Sequence, residues 1–224
     1  MAWNVNQIYQ SILFLLRKNQ AGGVSSTDLF YSWNIEQRMY HQDLVGRWQA
    51  RGAGKSGINT GLIQNETVLT ELAPFTKKTT LVIAGGNSNK PADFIYRLAL
   101  RINGKKVDFI NSDQIASVND SVIDPPSIPN NAYYATEYQG YYTFLPTSVT
   151  LAELDYICDV VDIVWGYTLD GNNRQVYNPA TSVQPQWLNN DIITITKRVL
   201  TNFGVSFKDK DFENFGRIAQ NTGD

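Results

Sequence analysis

The chain has almost none of the residues that build metal centres and disulfides. It contains one cysteine, Cys158, and one histidine, His41, among 224 residues. A single cysteine cannot form an intrachain disulfide, and these two side chains cannot make a structural zinc site of the usual type. We therefore expect a reducing compartment, no metal ion, no cofactor, and a buried Cys158 that behaves as a small hydrophobic side chain.

Basic excess and long apolar runs are also missing. Lys and Arg total 19 against 21 Asp and Glu, a formal net charge of −2. This balance argues against a dedicated duplex-DNA binder, which usually carries a basic stripe. The apolar run Ile12–Leu16 is too short to span a bilayer, so we expect no membrane contact and no targeting segment.

Two helices are predicted at the start of the chain. Asn4 can cap the first, whose apolar stripe follows helical spacing and consists of Ile8, Ile12, Leu15 and Leu16. Ser25–Asp28 has the form of a capping box for a second helix over about 27–49. A short link between helices favours an antiparallel pair.

The middle of the chain has strand character. Phe94–Ile102 and Lys105–Ile110 flank Asn103-Gly104, which is the strongest short hairpin signal. Three later runs predict an antiparallel meander: Ala132–Tyr138, Tyr141–Leu145 and Ser148–Ile157.

Helical spacing returns near the end, over about 188–203 with Gly204 as a cap, and again over about 209–220. The plan is an α+β fold with an N-terminal helix pair, a central antiparallel β-sheet with hairpins, and a C-terminal helix pair. We predict a single subunit with four segments: a helical hairpin (1–50), a loop and linker (51–78), an antiparallel β region (79–185) and C-terminal helices (186–224).

The stretch RGAGKSG, residues 51–57, resembles the end of a phosphate-binding P-loop. That motif requires a glycine five residues before Gly54, where this chain has Gln49, and it must follow a strand and open a helix. Neither requirement is met. We interpret the stretch as a glycine-rich basic loop, and predict that Arg51, Lys55 and Ser56 contact a neighbouring protein or DNA phosphate.

No constellation of catalytic residues is evident. His41 would need a nucleophile and an orienting acid to act as a general base, and no G-x-S-x-G motif is present. We therefore predict that the protein is not an enzyme.

Two tyrosine pairs fall on predicted strands. Tyr133-Tyr134 and Tyr141-Tyr142 would place an aromatic ring on both faces of each strand. A strand that is aromatic on both sides suggests that its outer face is covered, so these four tyrosines are candidate interface residues.

Several segments together resemble a known family. They are RKNQAGGVSSTDLF, LALRINGKKVDFINSDQIASV, DPPSIP, YQGYYTFLPTSVTLAELDYI, VWGYTLDGNNRQVYNPATSVQPQW and NNDIITITKRVLTNFGVSFKD. This layout is similar to the head-to-tail connector (ring or adaptor) proteins of tailed bacteriophages, most closely those of crAss-like phages of gut Bacteroides. The resemblance covers nearly the whole chain.

The resemblance implies a structural virion subunit without catalytic residues. Such proteins form a ring, commonly twelvefold, beneath the portal protein, extend the DNA channel and provide a docking surface for the next tail or ring protein. It also implies passing contact with phage DNA in the channel, and assembly in the host bacterial cytoplasm.

Two other classes of function stay open at this point. One is a generic oligomeric β-rich binding module whose aromatic surface holds a ligand or partner. The other is a nucleotide hydrolase that uses Lys55 and Ser56, against which the Gln49 position argues.

Overall fold

A computed structural model of the chain describes residues 3–18, 24–52, 68–121 and 125–204. Four of the described helices are labelled here: α1 (Val5–Lys18), α2 (Ser26–Gly52), α3 (Ile115–Asn119) and α4 (Asn189–Asn202). The strands are β1 (Thr76–Val82), β2 (Asn87–Asn89), β3 (Phe94–Ile102), β4 (Lys105–Lys106), β5 (Asp108–Phe109), β6 (Tyr134–Glu137), β7 (Tyr141–Leu145), β8 (Leu151–Cys158), β9 (Tyr167–Leu169) and β10 (Gln175–Tyr177). The mixed α+β fold class is confirmed.

The chain divides into two compact units. The first combines Met1–Pro74 with Val160–Asp224, and the second is Phe75–Asp159. The residues at 160–185, which we predicted as part of one β region, therefore belong to the unit that contains the long helices. Their contacts are made with α1 and α2, which explains the assignment: the Trp165 Nε1–H donates to Asn6 Oδ1 at 3.1 Å.

Helix α1 begins as its sequence predicts. The Gln7 N–H donates to Asn4 Oδ1 at 2.8 Å, and the Asn4 N–H donates to Gln7 Oε1 at 2.9 Å. These reciprocal bonds satisfy amide groups that have no partner within the helix. The predicted apolar stripe of α1 is buried, from Ile8 to Leu16.

Helix α2 also begins at its predicted capping box. The Asp28 N–H donates to Ser25 Oγ at 3.1 Å, and the Ser25 hydroxyl donates to Asp28 Oδ2 at 2.6 Å. The helix continues to Gly52, beyond its predicted end at residue 49.

The predicted linker 51–78 is wrong at both ends. Residues 51 and 52 complete α2, residues 68–72 are helical, and a 3₁₀ turn, Ala73–Phe75, leads into β1 at Thr76. Val68, Leu72 and Phe75 are buried, so this part of the chain packs as ordered structure and not as a surface linker. Residues 53–67 lie outside the described part of the chain.

The second unit contains two four-stranded sheets. Their strand orders are β1-β8-β3-β4, which is antiparallel, and β2-β7-β6-β5, in which β5 and β6 are parallel. The predicted hairpin at Asn103-Gly104 is confirmed, with φ angles of 51° and 75° and with Ile102 paired to Lys105. Positive φ at both central residues matches the twist of the two strands.

The predicted meander is half right. Strands β6 and β7 form an antiparallel pair, but β8 leaves that sheet and lies between β1 and β3. Strand β8 pairs with the whole of β1 and with most of β3, so both of its hydrogen-bonding edges are occupied. A third partner such as β7 cannot pair with it.

The last described elements belong to the first unit. Strands β9 and β10 form a short antiparallel ribbon around the turn 170–173. Helix α4 ends as predicted, with Gly204 at a φ of 78°. The predicted helix over 209–220 lies outside the described residues.

Candidate interaction surface

The predicted interface loop falls largely outside the described residues. Arg51 belongs to the last turn of α2, not to a loop, while Lys55 and Ser56 are not described. A helix, and not a strand, therefore leads into RGAGKSG, which is the opposite of what a P-loop requires.

Two of the four candidate interface tyrosines are core residues. Tyr133 is buried and accepts a hydrogen bond from Asn103 Nδ2 at 3.2 Å. Tyr142 is fully buried, and its hydroxyl lies 3.4 Å from Glu137 Oε1. Burial raises the pKa of Tyr142. These two rings stabilise the second unit and are not on an outer face.

The other two tyrosines remain closer to solvent. Tyr134 is half-buried on β6, and Tyr141 is exposed on β7. The ring of Tyr141 stacks on that of Tyr138, with centroids 4.7 Å apart and planes at 15°. Of the four tyrosines, Tyr141 is thus the one whose ring can serve a partner directly.

An apolar surface that we did not predict runs along α2. Tyr31, Ile35 and Met39 are 71%, 42% and 50% exposed, and they follow one another at four-residue steps on one side of the helix. We call these three residues the α2 strip. In the sequence, these three residues form an apolar row with helical spacing, beside the row of α2 residues that is buried.

The opposite side of α2 is held by a buried glutamine. The Gln37 Nε2–H donates to Asn34 Oδ1 at 2.9 Å and to the Val161 carbonyl at 3.2 Å. The Trp187 Nε1–H donates to Gln37 Oε1 at 3.2 Å. Because Gln37 is fully buried, these bonds fix the rotation of α2 about its axis. That rotation leaves the α2 strip on the outside.

A second set of contacts joins α2 to α4. The Tyr40 hydroxyl donates to Asp191 Oδ1 at 2.9 Å, and the Asn202 Nδ2–H donates to Glu36 Oε1 at 2.6 Å. The guanidinium of Arg198 lies 5.1 Å from the centre of the Tyr40 ring. Burial raises the pKa of both Tyr40 and Asp191. The α2 strip therefore lies on a helix that hydrogen bonds to α4 hold in place.

The β9–β10 ribbon, residues 167–177, is a second exposed apolar feature. Leu169 is 59% and Val176 48% exposed. Val176 pairs with Thr168, so Leu169 and Val176 point to opposite faces of the ribbon. The alternation in YTL and QVY could have indicated this ribbon from the sequence.

The base of the ribbon is anchored to the first unit. The Trp165 ring lies 5.7 Å from Tyr167, 6.2 Å from Tyr177 and 4.3 Å from Tyr9 of α1. The Ser26 hydroxyl at the start of α2 lies 3.3 Å from Gln175 Oε1. The ribbon thus projects from a fixed base.

The comparisons with known proteins do not assign this chain to a family. No protein-family model matches the chain, and no curated protein matches it. The connector resemblance stays a prediction.

The two side chains with potential reactivity are buried. Cys158 lies in β8, as expected for a small hydrophobic residue, and burial raises the pKa of its thiol. His41 is buried with its ring edge-on to Trp187 at 6.2 Å. His41 lies on the side of α2 that packs into the unit, so it is not a solvated residue.

The described part of the chain holds no group of three or more His, Cys, Asp and Glu side chains arranged to bind a metal ion. Within the same residues, no helix is both long and apolar enough to cross a membrane.

Proposed function

We propose that this chain is a structural virion protein that forms a ring in the head-to-tail connector of a tailed bacteriophage. In this role it joins the portal protein to the tail and extends the DNA channel. The observation that carries the proposal is the α2 strip, because it is an apolar surface on a helix whose opposite side is fixed by buried hydrogen bonds.

Apolar side chains exposed in a row on a rigid element mark surfaces that meet another protein. A ring subunit needs such surfaces, because each copy must hold its two neighbours through different patches. The α2 strip and the β9–β10 ribbon are two different apolar patches within one unit. A ring requires at least two different contact patches on each subunit, and these two meet that requirement.

The charge of the chain suits a channel wall. A protein that lets DNA pass must not hold phosphates strongly, and a formal net charge of −2 provides no basic excess to do so. Contact with phage DNA is then transient. The partners in this proposal are further copies of the chain, the portal protein and the next ring or tail protein.

The resemblance to connector proteins adds three details to the proposal. The subunits form a twelvefold ring, the terminal helices act as pairs at the two ends of the chain, and the site of action is the virion after assembly in the host cytoplasm. The segment 51–66, with Lys55 and Ser56, contacts the adjoining ring.

Cryo-electron microscopy of particles of the phage that encodes the chain tests this proposal. The expected result is a closed ring of this chain directly beneath the portal. Particles that contain no copy of the chain would contradict it. A purified monomer with saturable binding of a small ligand would favour the alternative, a β-rich binding module.

A second test deletes residues 51–66. The deleted protein should keep its circular dichroism spectrum and fail to attach to purified portal rings. A matched control replaces the same residues with a glycine- and serine-rich segment of equal length, which separates loss of the side chains from loss of chain length. Normal attachment of both variants would remove the segment 51–66 from the proposal.

A further inference from the structure

We infer that the β9–β10 ribbon of one copy docks on the α2 strip of a second copy. This inference rests on the proposed ring and names the two surfaces that would build it.

The ribbon is apolar on both of its faces. Leu169 lies on one face and Val176 on the other, and each is about half exposed. An isolated two-stranded ribbon is marginally stable in water, because it buries little apolar surface. The aromatic contacts of Trp165 secure the base, near Tyr167 and Tyr177, and leave the outer half to be covered by another molecule.

The ribbon does not cover the strip of its own chain. The contact between Ser26 Oγ and Gln175 Oε1 holds the ribbon at the first turn of α2. Ile35, at the centre of the strip, lies about 14 Å further along the helix at a rise of about 1.5 Å per residue. Both patches are exposed in this arrangement, so each can meet its complement on a different copy.

One charged side chain beside each patch can form a pair across the proposed contact. Asp28 is exposed and lies on the same side of α2 as Tyr31, one turn earlier. Arg174 is exposed, and because it opposes Asp170 across the turn, it lies on the same ribbon face as Val176. A ribbon placed with Val176 against the strip can bring the Arg174 guanidinium to the Asp28 carboxylate, a pairing that favours one orientation.

A second copy fits better than a foreign partner, because the donor and acceptor patches both occur on this chain. Contact between two different patches repeats from copy to copy and closes into a ring when the rotation allows. Strip-to-strip or ribbon-to-ribbon contact would instead stop at a dimer.

Two charge substitutions test the inference in the full-length protein. Ile35→Lys disables the strip, and Val176→Glu disables the face of the ribbon that meets it. Each variant alone should lose assembly, with self-association weakened at least about 30-fold, as expected for a central interface residue. An equimolar mixture should form a one-to-one dimer, because the intact ribbon of Ile35→Lys can bind the intact strip of Val176→Glu.

Native mass spectrometry and sedimentation velocity give the copy number of each species. Val82→Lys is the matched control, since it places a charge at an exposed apolar position on β1 in the other unit, and it should assemble as the unaltered chain does. Circular dichroism establishes that each variant is folded.

Several results would overturn the inference. They are full assembly by either single variant, a dimer formed by either variant alone, and a mixture that stays monomeric. An unaltered chain that remains monomeric at every concentration would overturn it as well. Attachment of that monomer to portal rings would leave the proposed function standing, whereas absence of the chain from virions would remove the function itself.

Discussion

The hydroxyl of Tyr40 donates a 2.9 Å hydrogen bond to Asp191 Oδ1 and joins α2 to the first turn of α4. Both side chains are buried, and the other carboxylate oxygen, Asp191 Oδ2, has no hydrogen-bond partner among the described residues. The bond therefore offsets only part of the cost of burying this carboxyl group. It also positions the helix that carries the exposed strip.

Replacing Tyr40 with Phe should destabilise the first unit. The variant keeps the ring but removes the donor to Asp191, so a buried carboxylate loses a partner at a cost of about 1–3 kcal/mol. Urea denaturation measures the change in the free energy of unfolding. Tyr31→Phe is the matched control, because the Tyr31 side chain is exposed and its change should stay within about 0.5 kcal/mol. Equal effects of the two substitutions would contradict the role of the bond.

The raised pKa of Asp191 predicts a dependence of stability on pH. Burial is the main cause of the shift from 3.8, so the folded state holds this proton more tightly than the unfolded state. The resulting stabilisation is present below pH 3.8 and is lost as the pH rises through the folded pKa. Asp191→Asn lacks this dependence, so the free energy of unfolding of the unaltered protein should fall relative to the variant as pH rises. Parallel profiles of the two proteins would contradict the prediction.

Asp93 in the second unit should behave in the opposite way. The ammonium group of Lys77 donates to its carboxylate at 2.6 Å and lowers the pKa of Asp93 below 3.8. The stabilisation is present above pH 3.8 and is lost as the pH falls through the folded pKa.

Because both groups are partly exposed, Asp93→Asn should lower the free energy of unfolding by about 0.5–1 kcal/mol at neutral pH. The two proteins should converge in acid. Glu153→Gln, which breaks the more exposed pair with Lys78, is the control and should have a smaller effect. A difference between Asp93→Asn and the unaltered protein that persists unchanged into acid would argue against this assignment.

The hairpin between β3 and β4 provides a backbone test. Gly104 has a φ of +75° with open space around the position of a Cβ, so Gly104→Ala should cost about 1–2 kcal/mol through backbone strain alone. Gly171 has equal space but no left-handed φ, so Gly171→Ala should be neutral or stabilise by up to about 1 kcal/mol. Thermal denaturation of the two variants compares them directly. Destabilisation of similar size in both would show that strain is not the cause.

The local signals of the sequence predicted local structure well. Asn4 and Ser25 cap their helices because the side-chain oxygen of each accepts a hydrogen bond from the backbone N–H three residues later. Asn103-Gly104 forms its turn because both residues tolerate positive φ. The apolar period in α1 was enough to identify its buried side.

Side-chain placement in the β region was harder to predict. Tyr141 and Tyr142 are adjacent and chemically identical, yet one is exposed and the other fully buried. Strand alternation requires the two to point to opposite faces, but it does not say which face is covered by the same chain. The exposed face of α2 was missed for the same reason, because Tyr31, Ile35 and Met39 look like core residues until the packing of α4 and Trp187 shows which side is covered.

The amino-acid sequence by itself determined the fold class, the helix caps, the hairpin turn and the low content of cysteine and histidine. These features depend on neighbouring residues and on composition. The tertiary structure decided that β8 lies between β1 and β3, that residues 160–185 join the helical unit, and that α2 keeps an apolar face outside. Those outcomes depend on contacts between residues far apart in the chain, whose pairing is set by the burial of the whole core.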